Sequence, residues 1–163
     1  MKDVPFLSKV PRSIKFGNVN DKHSLHVFCD ASQFAYATAV FLRVEKENSV
    51  YIQLIQARAR ISPSGKRRTS IARLELLGDI IAARLLSSIL KDLPVKKVYC
   101  WTGSTTVLVC IRREDSWRVF VHNRVKEVLD LTSKETWKYV PDIMNPADLP
   151  SRGCSAQHFA SLK

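Results

Sequence analysis

The chain has 163 residues, of which 45% are hydrophobic and 25% are charged. This length and balance fit one folded domain with its own core, and they exclude a disordered chain. The formal net charge of +11 favours a polyanionic partner such as nucleic acid, although a basic surface can also serve solubility alone.

The cysteines and the apolar runs indicate a compartment. The four cysteines form no C-x-x-C pair and no zinc-binding spacing, and Cys29 and Cys100 lie in apolar runs. Buried free thiols in a reducing compartment are therefore expected. No apolar run reaches the roughly 18 residues that cross a membrane, and the N-terminus lacks an apolar signal core. We expect a soluble intracellular protein, cytoplasmic or nuclear, with no membrane partner.

The first part of the chain predicts an arm followed by a small sheet. Residues 1–24 contain two prolines and a glycine and are expected to form an irregular N-terminal arm. Runs rich in β-branched and aromatic residues then predict three strands with short links, which is typical of an antiparallel meander. These strands cover residues 25–30, 36–46 and 50–57.

The second part predicts helices alternating with strands. Apolar residues recur every three or four positions from Ile71 to Ile89 and predict a long helix that Ser70 caps and Pro94 ends. Further elements are expected as a strand over 95–101, helices over 104–113 and 120–131, a strand over 136–140, and a short helix over 146–151. This order predicts an α/β domain over residues 25–155, with a C-terminal tail over 156–163.

Three acidic residues stand where carboxylates could converge. Asp30 ends the first predicted strand, Glu75 lies early in the long helix beside its apolar stripe, and Asp148 begins the last helix. Mg²⁺ prefers hard oxygen ligands, and a pair of such ions can clamp both oxygens in phosphodiester hydrolysis. Each acid alone is more readily explained as a cap or a solvated residue. The spacing therefore permits a metal site without requiring one.

Five motifs carry a family resemblance. They are His-Val-Phe-Cys-Asp-Ala-Ser at 26–32, Arg-Leu-Glu-Leu at 73–76, Trp-Thr-Gly-Ser-Thr at 101–105, Phe-Val-His-Asn-Arg-Val at 120–125 and Asn-Pro-Ala-Asp-Leu-Pro-Ser-Arg-Gly at 145–153. In this order they resemble the ribonuclease H-like region of BEL/Pao-type retrotransposon polyproteins, over about residues 10 to 155. The resemblance implies a ribonuclease H-like fold, with a five-stranded mixed sheet of three antiparallel and then parallel strands, flanked by helices.

The resemblance also implies an activity. It implies hydrolysis of the RNA strand of an RNA–DNA hybrid with Mg²⁺ or Mn²⁺ as cofactor, within a polyprotein that also carries reverse transcriptase and integrase regions. Asp30, Glu75 and Asp148 match the family's catalytic and metal-binding acids. A fourth acid belongs where this chain has Gly103, so one ligand and one negative charge are lost, and impaired catalysis is expected.

One nearby acid could compensate for the missing carboxylate. Asp79 follows Glu75 by four residues, so both can share a helix face, and Asp79 could supply a substitute charge. The simpler interpretation is that Asp79 is solvated or pairs with Arg84.

Basic residues before the long helix suggest a nucleic-acid contact. A basic loop over 58–70 would attract backbone phosphates without sequence preference. The candidate nucleic-acid-binding residues are Arg58, Arg60, Lys66, Arg67, Arg68, Asn123 and Arg124. A solvated loop is the alternative for the first five, and a structural tie between a helix and the rest of the fold is the alternative for Asn123 and Arg124. The three tryptophans are expected to pack in or near the core.

Three functional hypotheses follow. The chain is a retrotransposon-derived nuclease domain with impaired catalysis, a catalytically inactive nucleic-acid-binding or structural module of a pol polyprotein, or an unrelated basic α/β protein. The first two share one scaffold and differ in what Gly103 costs, because a fold alone does not decide activity.

Overall fold

A computed structural model of the chain describes residues 14, 16–17, 21–63, 69–93, 95–113 and 115–153. Within these residues the strands are β1 (Lys22–Ala31), β2 (Ala35–Lys46), β3 (Ser49–Ile61), β4 (Lys97–Thr102) and β5 (Trp137–Tyr139). The α-helices are α1 (Ile71–Asp92), α2 (Thr105–Arg112), α3 (Val119–Leu131) and α4 (Asp148–Arg152). Two short 3₁₀ helices cover Lys134–Thr136 and Asp142–Met144.

All five strands belong to one mixed sheet in the order β3-β2-β1-β4-β5. The β1–β2 and β2–β3 pairs are antiparallel, whereas the β1–β4 and β4–β5 pairs are parallel. The predicted meander and the five-stranded mixed sheet are thus confirmed. Because β1 and β4 run in parallel with Cys29 opposite Thr102, the next residues, Asp30 and Gly103, lie at the same carboxyl edge of the sheet.

Helix α1 covers one face of the sheet and fixes the end of β1. It packs on β1 and β2, and α3 packs on its other side. Alternate β1 residues Leu25, Val27 and Cys29 are buried in this core, as the two-residue period of a strand requires. A Cβ added at Gly78 of α1 would lie 3.4 Å from the Asp30 carbonyl oxygen, so the helix lies close to the strand end at this position.

The tryptophans differ in burial. Trp137 is fully buried, and its Nε1 donates to Thr132 Oγ1 at 2.9 Å. Trp117 packs against the core, and the half-buried Trp101 stacks on Phe28. The expectation that they serve packing is confirmed for Trp137, whose indole reaches no solvent.

Some predicted boundaries are wrong. β1 begins at Lys22, three residues inside the expected arm, and β3 continues to Ile61, so Arg58 and Arg60 lie on a strand and not in a loop. Backbone pairing with β2 extends β3 through Arg58 and Arg60, although these alternating arginines gave no apolar signal in the sequence. Ser70 holds the N-cap position of α1, but its hydroxyl makes no capping hydrogen bond. The two 3₁₀ helices were not predicted.

Several other expectations fall outside the described residues. They concern most of the N-terminal arm, the C-terminal tail over 156–163, Pro94, and the basic residues Lys66, Arg67 and Arg68. Cys29, Cys100 and Cys110 are buried free thiols, as predicted. None of the helices in the described ranges has both the length and the apolar character of a membrane span.

Candidate active site

Asp30 is held at the edge of the sheet by a residue from the last helix. Its half-buried carboxylate accepts a hydrogen bond of 2.5 Å, from Ser151 Oγ of α4 to Oδ2. Burial raises the pKa of Asp30 above its ordinary value, the Ser151 hydrogen bond opposes this rise, and the charges of Asp148 and Asp142 add to it. The charges of two other carboxylates therefore act on Asp30 at this edge.

Asp148 begins α4 and stands close enough to influence Asp30. Its backbone N–H donates to the Asn145 carbonyl oxygen at 3.0 Å, and its Oδ1 accepts from Arg152 Nε at 2.5 Å. Arg152 is exposed, so this ion pair contributes little to stability, but it places one positive charge beside the carboxylates. The structure thus brings Asp148 close enough to Asp30 for its charge to raise the pKa of Asp30.

Glu75 lies on a different element from the other two predicted metal ligands. It is half-buried on α1, one helical turn before the Gly78 contact with β1. Its charge raises the pKa of Asp79, whereas the charges that shift the pKa of Asp30 come from Asp148, Asp142 and Arg152. Over the described residues, no three His, Cys, Asp or Glu side chains converge closely enough to enclose a metal ion.

Gly103 leaves a space that two carboxylates face. A Cβ added there would lie 3.0 Å from Asp142 Oδ1 and 3.7 Å from both Asp30 Oδ1 and Asn145 Nδ2. Sequence reasoning missed Asp142, because it follows Pro141 in a short 3₁₀ turn and belongs to no periodic pattern. Only its proximity in sequence to the Asn145–Gly153 motif could have drawn attention to it.

Asn145 anchors this turn to the sheet. Its buried side-chain amide donates from Nδ2 to the Cys29 carbonyl oxygen at 3.0 Å, and its Oδ1 accepts from Ala147 N at 3.1 Å. An amide can donate and accept at once, which a carboxylate or an amine cannot do. The asparagine therefore ties the turn before α4 to the end of β1.

Asp79 is neither solvated nor paired with Arg84, so both simpler interpretations were wrong. It is buried between the sheet and α1, where its Oδ1 accepts a hydrogen bond of 2.6 Å from Cys29 Sγ. Burial raises the pKa of Asp79 to about 7. Arg84 instead pairs with Glu127 of α3. The cause is that Asp79 lies on the face of α1 that packs against the sheet, where Cys29 of β1 contacts it.

The described basic candidates fall into two groups. Arg58 and Arg60 are exposed on the edge strand β3, and Asn123 is exposed on α3. Arg124 is half-buried, with its guanidinium 5.2 Å from the centroid of the Phe120 ring. Because Phe120 packs against the core, this contact favours the structural interpretation for Arg124.

The sheet order, the helices and the acidic carboxyl edge define a ribonuclease H-like fold. The N-terminal RNase H domain of Rv2228c from Mycobacterium tuberculosis matches with a TM-score of 0.55 at 12% identity, covering 87% of this chain and 97% of that one. LC11-RNase H1 in complex with an RNA/DNA hybrid matches with a TM-score of 0.50 at 12% identity, covering 78% of this chain and 91% of that one. At these identities the likeness shows the fold alone.

The sequence match is more specific. Residues 6–104 match the model of the Pao retrotransposon-like RNaseH-like domain, and the chain belongs to this family. The resemblance drawn from the motifs is thereby confirmed. The matched segment includes Asp30, Glu75 and Gly103 and ends before Asp142 and Asp148. No curated protein sequence matches the chain significantly.

Proposed function

We propose that this chain is a retrotransposon-derived ribonuclease H-type domain that hydrolyses the RNA strand of an RNA–DNA hybrid, with activity impaired at Gly103. The observation that carries the proposal is the position of Asp30 beside Gly103, where the parallel strands β1 and β4 end, with the charges of Asp148 and Asp142 acting on it. Membership of the Pao RNaseH-like family supports the same assignment.

The donor set suits a hard divalent cation such as Mg²⁺ or Mn²⁺. Mg²⁺ commonly takes one or two protein carboxylates and completes its shell with water and phosphate oxygens, so three converging acids are not required. Asp30, Glu75 and Asp148 would hold the ions, which when bound would activate a water molecule and offset charge on the phosphate. Ser151 keeps the Asp30 carboxylate oriented and favours its ionised form.

The impairment follows from what surrounds Gly103. Gly103 has no positive φ, so the backbone at this position would accept an aspartate. The turn therefore does not require a glycine here. The neighbouring hydroxyls are already engaged: Ser104 Oγ accepts from Val107 N and caps α2, while Thr102 Oγ1 accepts from Ser104 N. Neither can take over a ligand's role. Turnover should therefore be lower by orders of magnitude than with an aspartate at this position.

Hybrid binding is assigned to the basic surface of the chain. The +11 charge favours phosphate contacts, and the exposed Arg58 and Arg60 project from the edge strand of the same sheet. The structurally similar LC11-RNase H1 was solved in complex with an RNA/DNA hybrid, which supports this choice of partner. In the parent polyprotein the domain would act beside reverse transcriptase and integrase regions, in the cytoplasm or the nucleus.

A second function has its own support. Over the described residues no three potential ligands converge, which is the arrangement expected of a module that binds hybrid without cutting it. Such an inactive nucleic-acid-binding or structural module would keep the same fold and basic surface.

Cleavage of a labelled RNA–DNA hybrid with Mg²⁺ or Mn²⁺ separates the two functions. We expect slow cleavage by the natural chain, none by Asp30→Asn, and faster cleavage by Gly103→Asp. Asp92→Asn is the matched control, because Asp92 is exposed at the far end of α1. Binding without cleavage by the natural chain, together with cleavage by Gly103→Asp, would establish the inactive module. Absence of cleavage in every variant would contradict the catalytic assignment.

A further inference from the structure

The space in front of Gly103 is occupied by a side chain from another part of the fold. The Asp142 Oδ1 atom lies 3.0 Å from the Cβ position at Gly103, closer than any other heavy atom beyond the neighbouring residues. Asp30 Oδ1 lies 3.7 Å from the same point. A carboxylate rooted at position 103 would have to share this volume with Asp142.

The backbone holds Asp142 in this place by contacts on both sides. Val140 N donates to the Thr102 carbonyl oxygen at 3.0 Å, which seats the segment beside the end of β4. Asn145 N donates to the Asp142 carbonyl oxygen at 3.0 Å, and the Asn145 side chain binds the end of β1. The turn therefore sits across the ends of the two strands that carry Asp30 and Gly103.

The Asp142 carboxylate has no structural task that accounts for this position. It is exposed, and within the described part of the chain no donor group forms a hydrogen bond or an ion pair with it. Two like charges facing one small volume repel each other unless a cation lies between them. Carboxylate oxygens approaching from separate elements are the ligands that a hard divalent cation prefers.

We propose that Asp142 replaces the carboxylate missing at Gly103, so that the divalent cation is held between Asp30 and Asp142. This inference rests on the proposed function, since it assumes a metal at the carboxyl edge of the sheet. It would allow metal binding to survive the loss of an acid from the Trp-Thr-Gly-Ser-Thr motif. Asp142 comes from 3₁₀ helix Asp142–Met144 and not from the end of β4, so the ligand set is rearranged and not restored.

Mn²⁺ binding to the metal-free protein tests the replacement without any cleavage. The affinity is measured by calorimetry for the natural chain, Asp142→Asn, Gly103→Asp and the double variant Gly103→Asp/Asp142→Asn, with Asp92→Asn as control. We expect Asp142→Asn to weaken binding about tenfold or more in the natural chain. In the Gly103→Asp background the same substitution should weaken Mn²⁺ binding by less than about threefold, because the carboxylate at position 103 then acts as the ligand.

Each other outcome overturns the inference in a recognisable way. Equal losses in the two backgrounds would mean that Asp142 only supports the turn, and no loss in the natural chain would mean that it is not a ligand. If the natural chain binds no Mn²⁺ while Gly103→Asp binds it, Asp142 fails as a replacement but the proposed metal site stands. If neither binds, the inference and the metal-dependent function fail together.

Discussion

Ser151 Oγ donates a hydrogen bond of 2.5 Å to Asp30 Oδ2, although the two residues are 121 positions apart in the chain. Ser151 is buried in α4, and the same hydroxyl lies 2.9 Å from the Asp148 carbonyl oxygen. One short helix thus both orients the acid at the end of β1 and brings Asp148 beside it.

Removing this hydroxyl should change the titration of Asp30. The Ser151 hydrogen bond lowers the pKa of Asp30 against the effect of burial, so Ser151→Ala should raise the pKa further. Because a hydrogen bond to a charged group is lost, stability should also fall by about 1–3 kcal/mol at neutral pH. Carboxyl-carbon NMR of the metal-free protein measures the pKa. The exposed Ser88→Ala is the control, and an unchanged Asp30 titration would show that the hydrogen bond is not formed in solution.

Asp79 should make the protein less stable as pH rises. Its folded-state pKa of about 7 lies above its ordinary 3.8, so the folded state holds a proton that the unfolded chain releases. The resulting stability is complete below about pH 4 and is lost by pH 7, by up to about 4 kcal/mol. Asp79→Asn removes this dependence and keeps an oxygen that can accept from Cys29 Sγ.

The difference in unfolding free energy between Asp79→Asn and the natural chain is the quantity to measure, by urea denaturation. It should be smallest near pH 4, grow in favour of the variant up to pH 7, and stay level above. The exposed Asp92→Asn should show no such trend. A difference that does not vary with pH would contradict the raised pKa.

Gly78 should tolerate one methyl group but not a branched side chain. A Cβ at this position makes ordinary contact with the Asp30 carbonyl oxygen, so Gly78→Ala should fit and stabilise α1 by up to about 1 kcal/mol. Gly78→Val should push the helix from β1 and cost about 1–3 kcal/mol relative to alanine. Urea denaturation measures both. Ala72→Val is the control, because Ala72 is exposed on α1 and its replacement measures only the lower helix propensity of valine. If valine destabilises the protein equally at positions 72 and 78, relative to alanine, the close approach of α1 to β1 would be contradicted.

Arg58 and Arg60 should contribute to hybrid binding through phosphates. The double change to alanine should weaken binding of the hybrid in EDTA and reduce the slope of log affinity against log salt by about 1 to 2. Arg84→Ala is the matched control, because Arg84 is exposed but already paired with Glu127. An unchanged slope would place the hybrid elsewhere on the surface.

Much of the fold could be predicted because its elements have distinct periods. The β-branched and aromatic runs of the first three strands differ clearly from the three- and four-residue spacing in α1, and the parallel return of β4 follows from the crossover through α1. The end of β3 could not be predicted, since Arg58 and Arg60 are stabilised by pairing with β2 and not by burial.

The site was predicted only where residues fall in motifs. Asp30, Glu75 and Asp148 stand in runs of recognisable sequence, whereas Asp142 lies in an irregular turn whose position depends on contacts with Thr102 and Asn145. The burial of Asp79 was missed for a related reason. A helical pattern shows which residues are apolar, but it does not show that a polar residue of the same helix will face the buried end of β1.

We propose that a metal-dependent nuclease site survives in this chain without an acid at position 103. The most direct test is the Mn²⁺-dependent rate of RNA-strand cleavage in a hybrid by the natural chain, relative to Gly103→Asp and Asp30→Asn. We expect a measurable rate for the natural chain, a rate higher by orders of magnitude for Gly103→Asp, and no cleavage by Asp30→Asn. Equal rates for the natural chain and Asp30→Asn would contradict it.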